Sequence, residues 1–311
     1  MLREEAGRVM KVPSKVKVVE VGPRDGLQNE AGEVSTADKI ALIDRLSRAG
    51  FSAIEAGSFV SPSWVPRMAD TAKVLSGIQK HAGTRYPVLT PNMKGFQAAV
   101  AAGAQEVAVF AAASESFSQR NTNCSIAESL ERLAEVCAAA MARGIRVRGY
   151  LSCCLGCPYE GDVPLTTVVK LAARMLALGC VEISFGDTIG IGTPDRATAL
   201  ADAVCAVIPR DKVAVHFHDT YGQGLANILA ALQRGIAIVD ASVGGLGGCP
   251  FAPGAGGNVA SEDVLYMLNG LGCQTGVDLD GVIDTAQFIF QRLGRSPASK
   301  VSVARAAAAA R

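Results

Sequence analysis

The sequence has no uninterrupted apolar run of the roughly 18 residues that a membrane helix needs. Its most apolar stretch, Phe96 to Ala113, is broken by Gln97, Gln105 and Glu106, which excludes a helical span there. Neither sign of charge is in excess. The 30 Lys and Arg face 29 Asp and Glu, for a formal net charge of +1, so no global basic field is available to hold nucleic acid. Residues 1–11 carry no apolar core or cleavage site of a secretory leader, and Leu2-Arg3-Glu4-Glu5 is too acidic for a transit peptide. The nine cysteines are an odd number in a chain too long to need disulfide staples, which predicts free thiols in a reducing compartment, the cytoplasm. Histidine is scarce, at three residues, so any pair that falls together carries weight.

Apolar content is high enough to exclude intrinsic disorder: 49% of the 311 residues are hydrophobic, 19% are charged, and the mean hydropathy is +0.26. Strand-like runs alternate with amphipathic helical windows. Strands are predicted at Val16–Val21, Ser52–Ala56, Tyr86–Thr90, Glu106–Phe110, Arg146–Ser152, Val181–Phe185, Val213–Phe217 and Val239–Val243. Helical windows such as Ala37–Arg48, Ile126–Ala142, Thr166–Leu178, Asp195–Val207 and Leu225–Gln233 separate them, with Gly50, Gly103, Gly144, Gly179 and Gly235 where helices should stop. Eight such repeats at this length favour a closed (β/α)8 TIM barrel over an open doubly wound sheet. The early turn Gly22-Pro23-Arg24-Asp25-Gly26 also lacks the G-x-G-x-x-G fingerprint of a dinucleotide site. The expected organisation is an N-terminal extension over 1–15, then the barrel with additional C-terminal helices over 16–296. A frayed tail over 297–311 follows.

His216 and His218 lie at i and i+2 of the seventh strand, so their side chains share a face at the C-terminal rim where barrel enzymes build their sites. Asp25 follows the first strand, which only one strand separates from the seventh in a closed barrel, and can reach them. With an amide oxygen such as that of Asn258, this is an N/O donor set for Mg²⁺, Mn²⁺ or another divalent cation in octahedral geometry. Glu55 and Asp187 close the second and sixth strands at the same rim and would orient Arg24 and the histidines. Cys249 is the thiol on the glycine-rich loop 244–257, placed to donate a proton to a bound substrate. A bound metal beside Arg24 suits an enolate formed by carbon–carbon cleavage, a retro-aldol or Claisen-type reaction. A Schiff-base mechanism is disfavoured because no lysine closes a strand. Cys154-x-x-Cys157 has no second pair or histidine to complete a zinc site, and His81 is read as a surface residue.

These residues sit in longer stretches: GPRDGLQNE at 22–30, EAGSFVSPSWVPRMAD at 55–70, YLSCCLGCPYEG at 150–161, GDTIGIGTP at 186–194, HFHDTYG at 216–222 and SVGGLGGCPF at 242–251. Together they resemble the 3-hydroxy-3-methylglutaryl-CoA lyase family over about residues 16 to 295. The resemblance implies an acyl-CoA substrate, a divalent cation held by Asp25, His216, His218 and Asn258, and Arg24 stabilising the acetyl-CoA enolate. It implies that Cys249 and His216 handle protons while Glu55 and Asp187 support the site. The products would be acetyl-CoA and acetoacetate, in leucine breakdown or ketone-body formation. A homo-oligomer, a dimer or tetramer, is expected of such barrels, with no nucleic-acid or membrane partner. Two positions depart from the pattern: Gly57 where many members have Thr, and Ala31 where many have Lys. A smaller residue near the acyl end would admit a longer branched substrate, such as the isohexenyl analogue. A Claisen-condensing synthase of the same superfamily is the other enzyme reading.

Overall fold

The computed structural model describes residues 10–248 and 257–309. Eight strands lie parallel: β1 (Lys17–Glu20), β2 (Gly57–Ser58), β3 (Val88–Leu89), β4 (Glu106–Ala112), β5 (Arg146–Ser152), β6 (Glu182–Asp187), β7 (Val213–Phe217) and β8 (Ile238–Ala241). Their order is β1-β8-β7-β6-β5-β4-β3-β2. The ring closes where the Glu20 N–H donates to Ala53 O at 3.0 Å and the Glu55 N–H donates to Glu20 O at 2.8 Å. The expected barrel is therefore observed.

Helices α1 (Thr36–Arg48), α2 (Thr71–Gly77), α3 (Met93–Ala101), α4 (Glu115–Thr122), α5 (Ile126–Met141), α6 (Leu165–Ala177), α7 (Pro194–Cys205) and α8 (Gly224–Gln233) follow the strands and cover the outer face. Both faces of each strand are thus buried, the reason their sequences read as apolar runs. Local chemistry sets the helix ends. Ser35, Asn92 and Ser114 cap α1, α3 and α4 through their side-chain oxygens, and Ser125 with Glu128 forms a reciprocal capping box on α5. Gly50 ends the first helix at φ +97°, where a Cβ would also lie 2.4 Å from Gly276 O, so only glycine fits.

Beyond the barrel come α9 (Ser261–Gly270), α10 (Leu279–Leu293) and α11 (Lys300–Ala309). Residues 300–309 are helical rather than frayed because Asp263 accepts from Ser299 Oγ and from the Lys300 and Val301 N–H groups, tying the start of α11 to α9. α4 is a polar helix with no apolar period, which is why the strand-and-helix pattern passes over it.

Part of the barrel interior is ionic. β1 and β6 are not neighbours, nor are β5 and β8, so Lys17 meets Glu182 and Arg148 meets Asp240 only by pointing inward. Arg148 joins the two pairs, donating Nε to Glu182 at 2.7 Å and Nη2 to Asp240 at 2.7 Å.

Candidate active site

The chain leaves β1 in a wide, π-type helical turn over Gly22–Gly26, in which the N–H groups of Arg24, Asp25 and Gly26 all converge on Val21 O. Such turns splay side chains off a regular path and recur at functional sites. Here the turn aims Arg24 and Asp25 into the barrel mouth, toward His216 and His218 at the end of β7. The two Nε2 atoms lie 3.3 Å apart, and His216 Nε2 lies 3.7 Å from Asp25 Oδ2. One donor atom from each of the three residues falls within 4.8 Å of the others, the one such cluster among the described residues. Asn258 pairs its backbone with His218 and donates Nδ2 to Asp25 Oδ2 at 2.9 Å. It reaches the cluster, with its amide nitrogen rather than its oxygen turned inward. A half-turn of the amide exchanges the two.

The donor set fits a divalent cation on its own chemistry. Two imidazole nitrogens face one another with a carboxylate beside them, and His218 Nδ1 is buried without a partner. Burial, and then the neighbouring His216, lower the His218 pKa to about 4, which keeps its ring neutral as a ligand must be. Burial alone would raise Asp25, but Arg24 and the two histidines carry it down to about 2.

Behind this cluster stand residues that local spacing does not single out. Asp240 Oδ2 lies 3.3 Å from His216 Nδ1 and accepts from Ser184 Oγ at 2.7 Å, while Arg148 grips both carboxylate oxygens at 3.1 and 2.7 Å. Burial opposes the charged form of His216, but the hydrogen bond to Asp240 and the charge of Asp25 raise its pKa overall. A carboxylate on Nδ1 fixes the tautomer that leaves Nε2 for a ligand. Tyr150, on β5, donates its hydroxyl to Glu55 at 3.1 Å and lies beneath Arg24, whose guanidinium carbon is 5.3 Å from the ring centre. The signal that could have found Asp240 and Arg148 is the charge itself, placed inside otherwise apolar strands.

Glu55, fully buried, accepts Arg24 Nε at 2.7 Å, and Asp25 accepts Nη1 at 2.6 Å. Burial works against the Arg24 charge, but these two carboxylates more than restore it, and its pKa is raised. Among the described residues Nη2 donates no hydrogen bond, so this edge is left for a ligand in the cavity of about 650 Å³ that Arg24 lines. Asp187 is placed differently from the expectation. Its carboxylate accepts the N–H groups of Ile191 and Gly192 at 3.2 and 2.8 Å and so builds the turn after β6, without touching Arg24 or a histidine ring. An aspartate at a strand end met two unpaired N–H groups of its own turn before it could reach the rim. Cys249 lies outside the described residues.

Gly57 also departs from its sequence reading. A Cβ there would lie 2.7 Å from the Thr71 side chain, and the residue does not line the cavity, so its small size opens no room for an acyl chain. Cys154 Sγ donates to Leu151 O at 3.0 Å and Cys157 Sγ is 2.9 Å from Ser114 Oγ, so each is engaged within the core.

An eight-stranded parallel barrel with a carboxylate and two histidines converging beside an arginine at its C-terminal mouth defines a class: barrel enzymes built around a divalent-cation site. Comparison with known proteins narrows it. The HMGL-like family model matches residues 15–289, and the chain belongs to that family. It is 62% identical over 292 residues to the mitochondrial hydroxymethylglutaryl-CoA lyase of Gallus gallus, covering 94% of this chain and 98% of that protein. It superposes on the crystal structure of hydroxymethylglutaryl-CoA lyase from Pseudomonas aeruginosa with a TM-score of 0.94 at 57% identity, covering 96% of this chain and 99% of that one. It also superposes on an HMG-CoA lyase from Acinetobacter baumannii in complex with coenzyme A and 3-methylmalate, with a TM-score of 0.90 at 38% identity, covering 94% and 95%.

Proposed function

We propose that this protein is a carbon–carbon lyase that cleaves 3-hydroxy-3-methylglutaryl-CoA to acetyl-CoA and acetoacetate with the help of a divalent cation. The observation that carries the reading is the convergence of Arg24, with one guanidinium edge free among the described residues, on the Asp25, His216 and His218 donor set at one end of a single cavity. The near full-length identity to proteins named as this lyase supports it.

Asp25, His216, His218 and the amide oxygen of Asn258 would hold Mg²⁺ or Mn²⁺, which when bound supplies positive charge to substrate oxygens. The chain's own residues do the rest. A base removes the C3 hydroxyl proton, that oxygen's electron pair becomes the ketone of acetoacetate, and the C2–C3 bond breaks toward the thioester. The free edge of Arg24 stabilises the negative charge arriving on the thioester oxygen. Glu55 and Tyr150 hold that guanidinium in place. Protonation of C2 completes acetyl-CoA, with His216 and Cys249 assigned to the two proton transfers. Asp187 shapes the loop that borders the site.

All eight cysteines among the described residues are free and seven are buried, which supports the cytoplasm as its compartment. Leucine breakdown or ketone-body formation is the setting proposed for the products, and a homo-oligomer, a dimer or tetramer, is the proposed assembly. The test is release of acetyl-CoA from 3-hydroxy-3-methylglutaryl-CoA by the purified protein, with Mg²⁺ or Mn²⁺ and again with EDTA. Cation-dependent release is expected. Absence of release under every cation condition refutes the reading.

A further inference from the structure

The ionic residues inside the barrel form one connected line that ends on His216. It starts at the mouth opposite the site, where Lys17 opens β1 and pairs with Glu182, which opens β6. Arg148, two residues into β5, donates Nε to Glu182 and both Nη atoms to Asp240, and Asp240 in turn meets His216 Nδ1. Side-chain exposure falls along the way, from 24% at Lys17 through 9% at Glu182 and 3% at Arg148 to 0% at Asp240. Each step toward the site runs through a drier part of the barrel, where charge is poorly screened.

The line alternates in sign: Lys17 is cationic, Glu182 anionic, Arg148 cationic and Asp240 anionic. Burial alone would raise the Glu182 pKa, but Arg148 and then Lys17 lower it, so its carboxylate is charged. A guanidinium is a planar fork, so the carboxylate on Nε fixes the direction in which the two Nη atoms point. It also competes for the charge. Whatever share of Arg148 is drawn toward Glu182 is taken from Asp240, and in a chain of hydrogen bonds each bond polarises the next. Asp240 Oδ2 accepts from Ser184 Oγ at 2.7 Å and from Arg148 Nη1 at 3.1 Å, so a tighter hold by Arg148 leaves less of that oxygen for His216. A weaker hydrogen bond on Nδ1 makes Nε2 a poorer donor to an ion.

We infer that Glu182 is a positioning residue for the cation site: it draws Arg148 away from Asp240 and so strengthens the hold of Asp240 on His216, while Lys17 tempers it from the far mouth. The inference rests on the lyase reading for the presence of the cation and not for the line itself. Breaking the Lys17–Glu182 pair from its two sides then has opposite results. Without the Glu182 charge Arg148 settles on Asp240, and without Lys17 the freed Glu182 pulls Arg148 harder.

A second pair at the same mouth supplies the control. Glu106 opens β4, is buried and accepts from Arg85 Nη1 at 2.7 and 2.6 Å, and among the described residues neither of the two hydrogen-bonds to the line. The test uses the full-length protein stripped of metal with EDTA, as wild type and as Glu182→Gln, Lys17→Met, Lys17→Arg and Glu106→Gln. Two quantities are read: the Mn²⁺ dissociation constant by equilibrium dialysis, and the far-downfield proton resonance of His216 Nδ1–H in the metal-free protein, assigned by its loss in Asp240→Asn. Glu182→Gln keeps an amide oxygen for Arg148 and should weaken Mn²⁺ binding by about three- to tenfold, less than the loss of a direct partner of a ligand, and move the proton upfield. Lys17→Met should tighten Mn²⁺ binding by about twofold, the scale of a part-exposed pair, and move the proton downfield. Lys17→Arg and Glu106→Gln should match the wild type. Dissociation constants that shift the same way in Glu182→Gln and Lys17→Met, or in neither, mark a merely structural pair and overturn the inference. A loss in Glu106→Gln equal to that in Glu182→Gln overturns it too, because the field would then act without the line. The expected proton shifts in proteins that bind no Mn²⁺ would refute the cation-dependent lyase reading and leave the line standing.

Discussion

Replacing Arg24 by glutamine separates the two things this residue does. In the wild type its guanidinium lies between Glu55 at 2.7 Å and Asp25 at 2.6 Å, and Glu55 is fully buried. Breaking a buried ion pair from one side costs about 3–5 kcal/mol. The Glu55 carboxylate keeps the Tyr150 hydroxyl at 3.1 Å, and a glutamine amide can donate one hydrogen bond in place of the guanidinium, so about 2–4 kcal/mol is the expected loss. For a chain of this length that is a fall in Tm of about 3–6 °C, visible by calorimetry. Turnover should fall further than stability. Loss of a single oriented donor to a developing oxyanion costs about 10²–10³ in kcat, and here a full charge goes with it. Cation affinity should hold or tighten, because a positive charge next to Asp25 has been removed. Parallel measurements of kcat, KM and Mn²⁺ binding on the purified variant decide the matter. Weakened Mn²⁺ binding with wild-type turnover after refilling would show that Arg24 serves the cation site and not the enolate.

Three further outcomes are expected. Asp240→Asn should weaken Mn²⁺ binding by about 10–100-fold, because His216 loses the carboxylate that orients it; equilibrium dialysis giving wild-type affinity would dismiss that role. Glu20 lies fully buried against the Gly22 and Val243 N–H groups and Ser261 Oγ, and burial raises its pKa from 4.5 to about 8. Because the folded state holds that proton more tightly than the unfolded one, its stabilising contribution is complete below pH 4.5 and is lost as pH rises toward 8, at about 1.4 kcal/mol per unit. Glu20→Gln should therefore gain Tm relative to the wild type between pH 5 and 9, and a constant difference across that window would contradict the assignment. Gly244→Ala should lose several kcal/mol, as a Cβ at φ +64° would sit 2.1 Å from Phe290 Cε2; an unchanged Tm would show that Phe290 can move aside.

The barrel was legible because eight apolar runs alternate with capped amphipathic windows, and the seventh strand and several helices lie within a residue or two of the expected bounds. The second strand is the exception. Its expected run, Ser52–Ala56, makes only single bridges at Ala53 and Ile54, and its ladder begins at Gly57, because this segment closes the ring against the short β1. The cation cluster was readable for a local reason: His216 and His218 differ by two on one strand, and Asp25 follows the strand two places away in the ring, with only β8 between. Asp240 and Arg148 were not, since their meeting depends on the diameter and stagger of a closed barrel. Asp187 was misjudged because a carboxylate's partners depend on turn geometry that a strand boundary does not show.

The line of contacts through the barrel has a consequence for charge neutrality. Lys17, Glu182, Arg148, Asp240, His216, Asp25, Arg24 and Glu55 touch in sequence from one mouth to the other. With the imidazole neutral, three cationic side chains face four carboxylates, and the line is left with one negative charge. A divalent ion turns that into one positive charge, and a substrate bearing one free carboxylate beside its thioester cancels it. With a neutral imidazole, as a ligand to the ion must be, the line is electrically neutral when ion and substrate are seated together, so the ion-loaded protein attracts the acid.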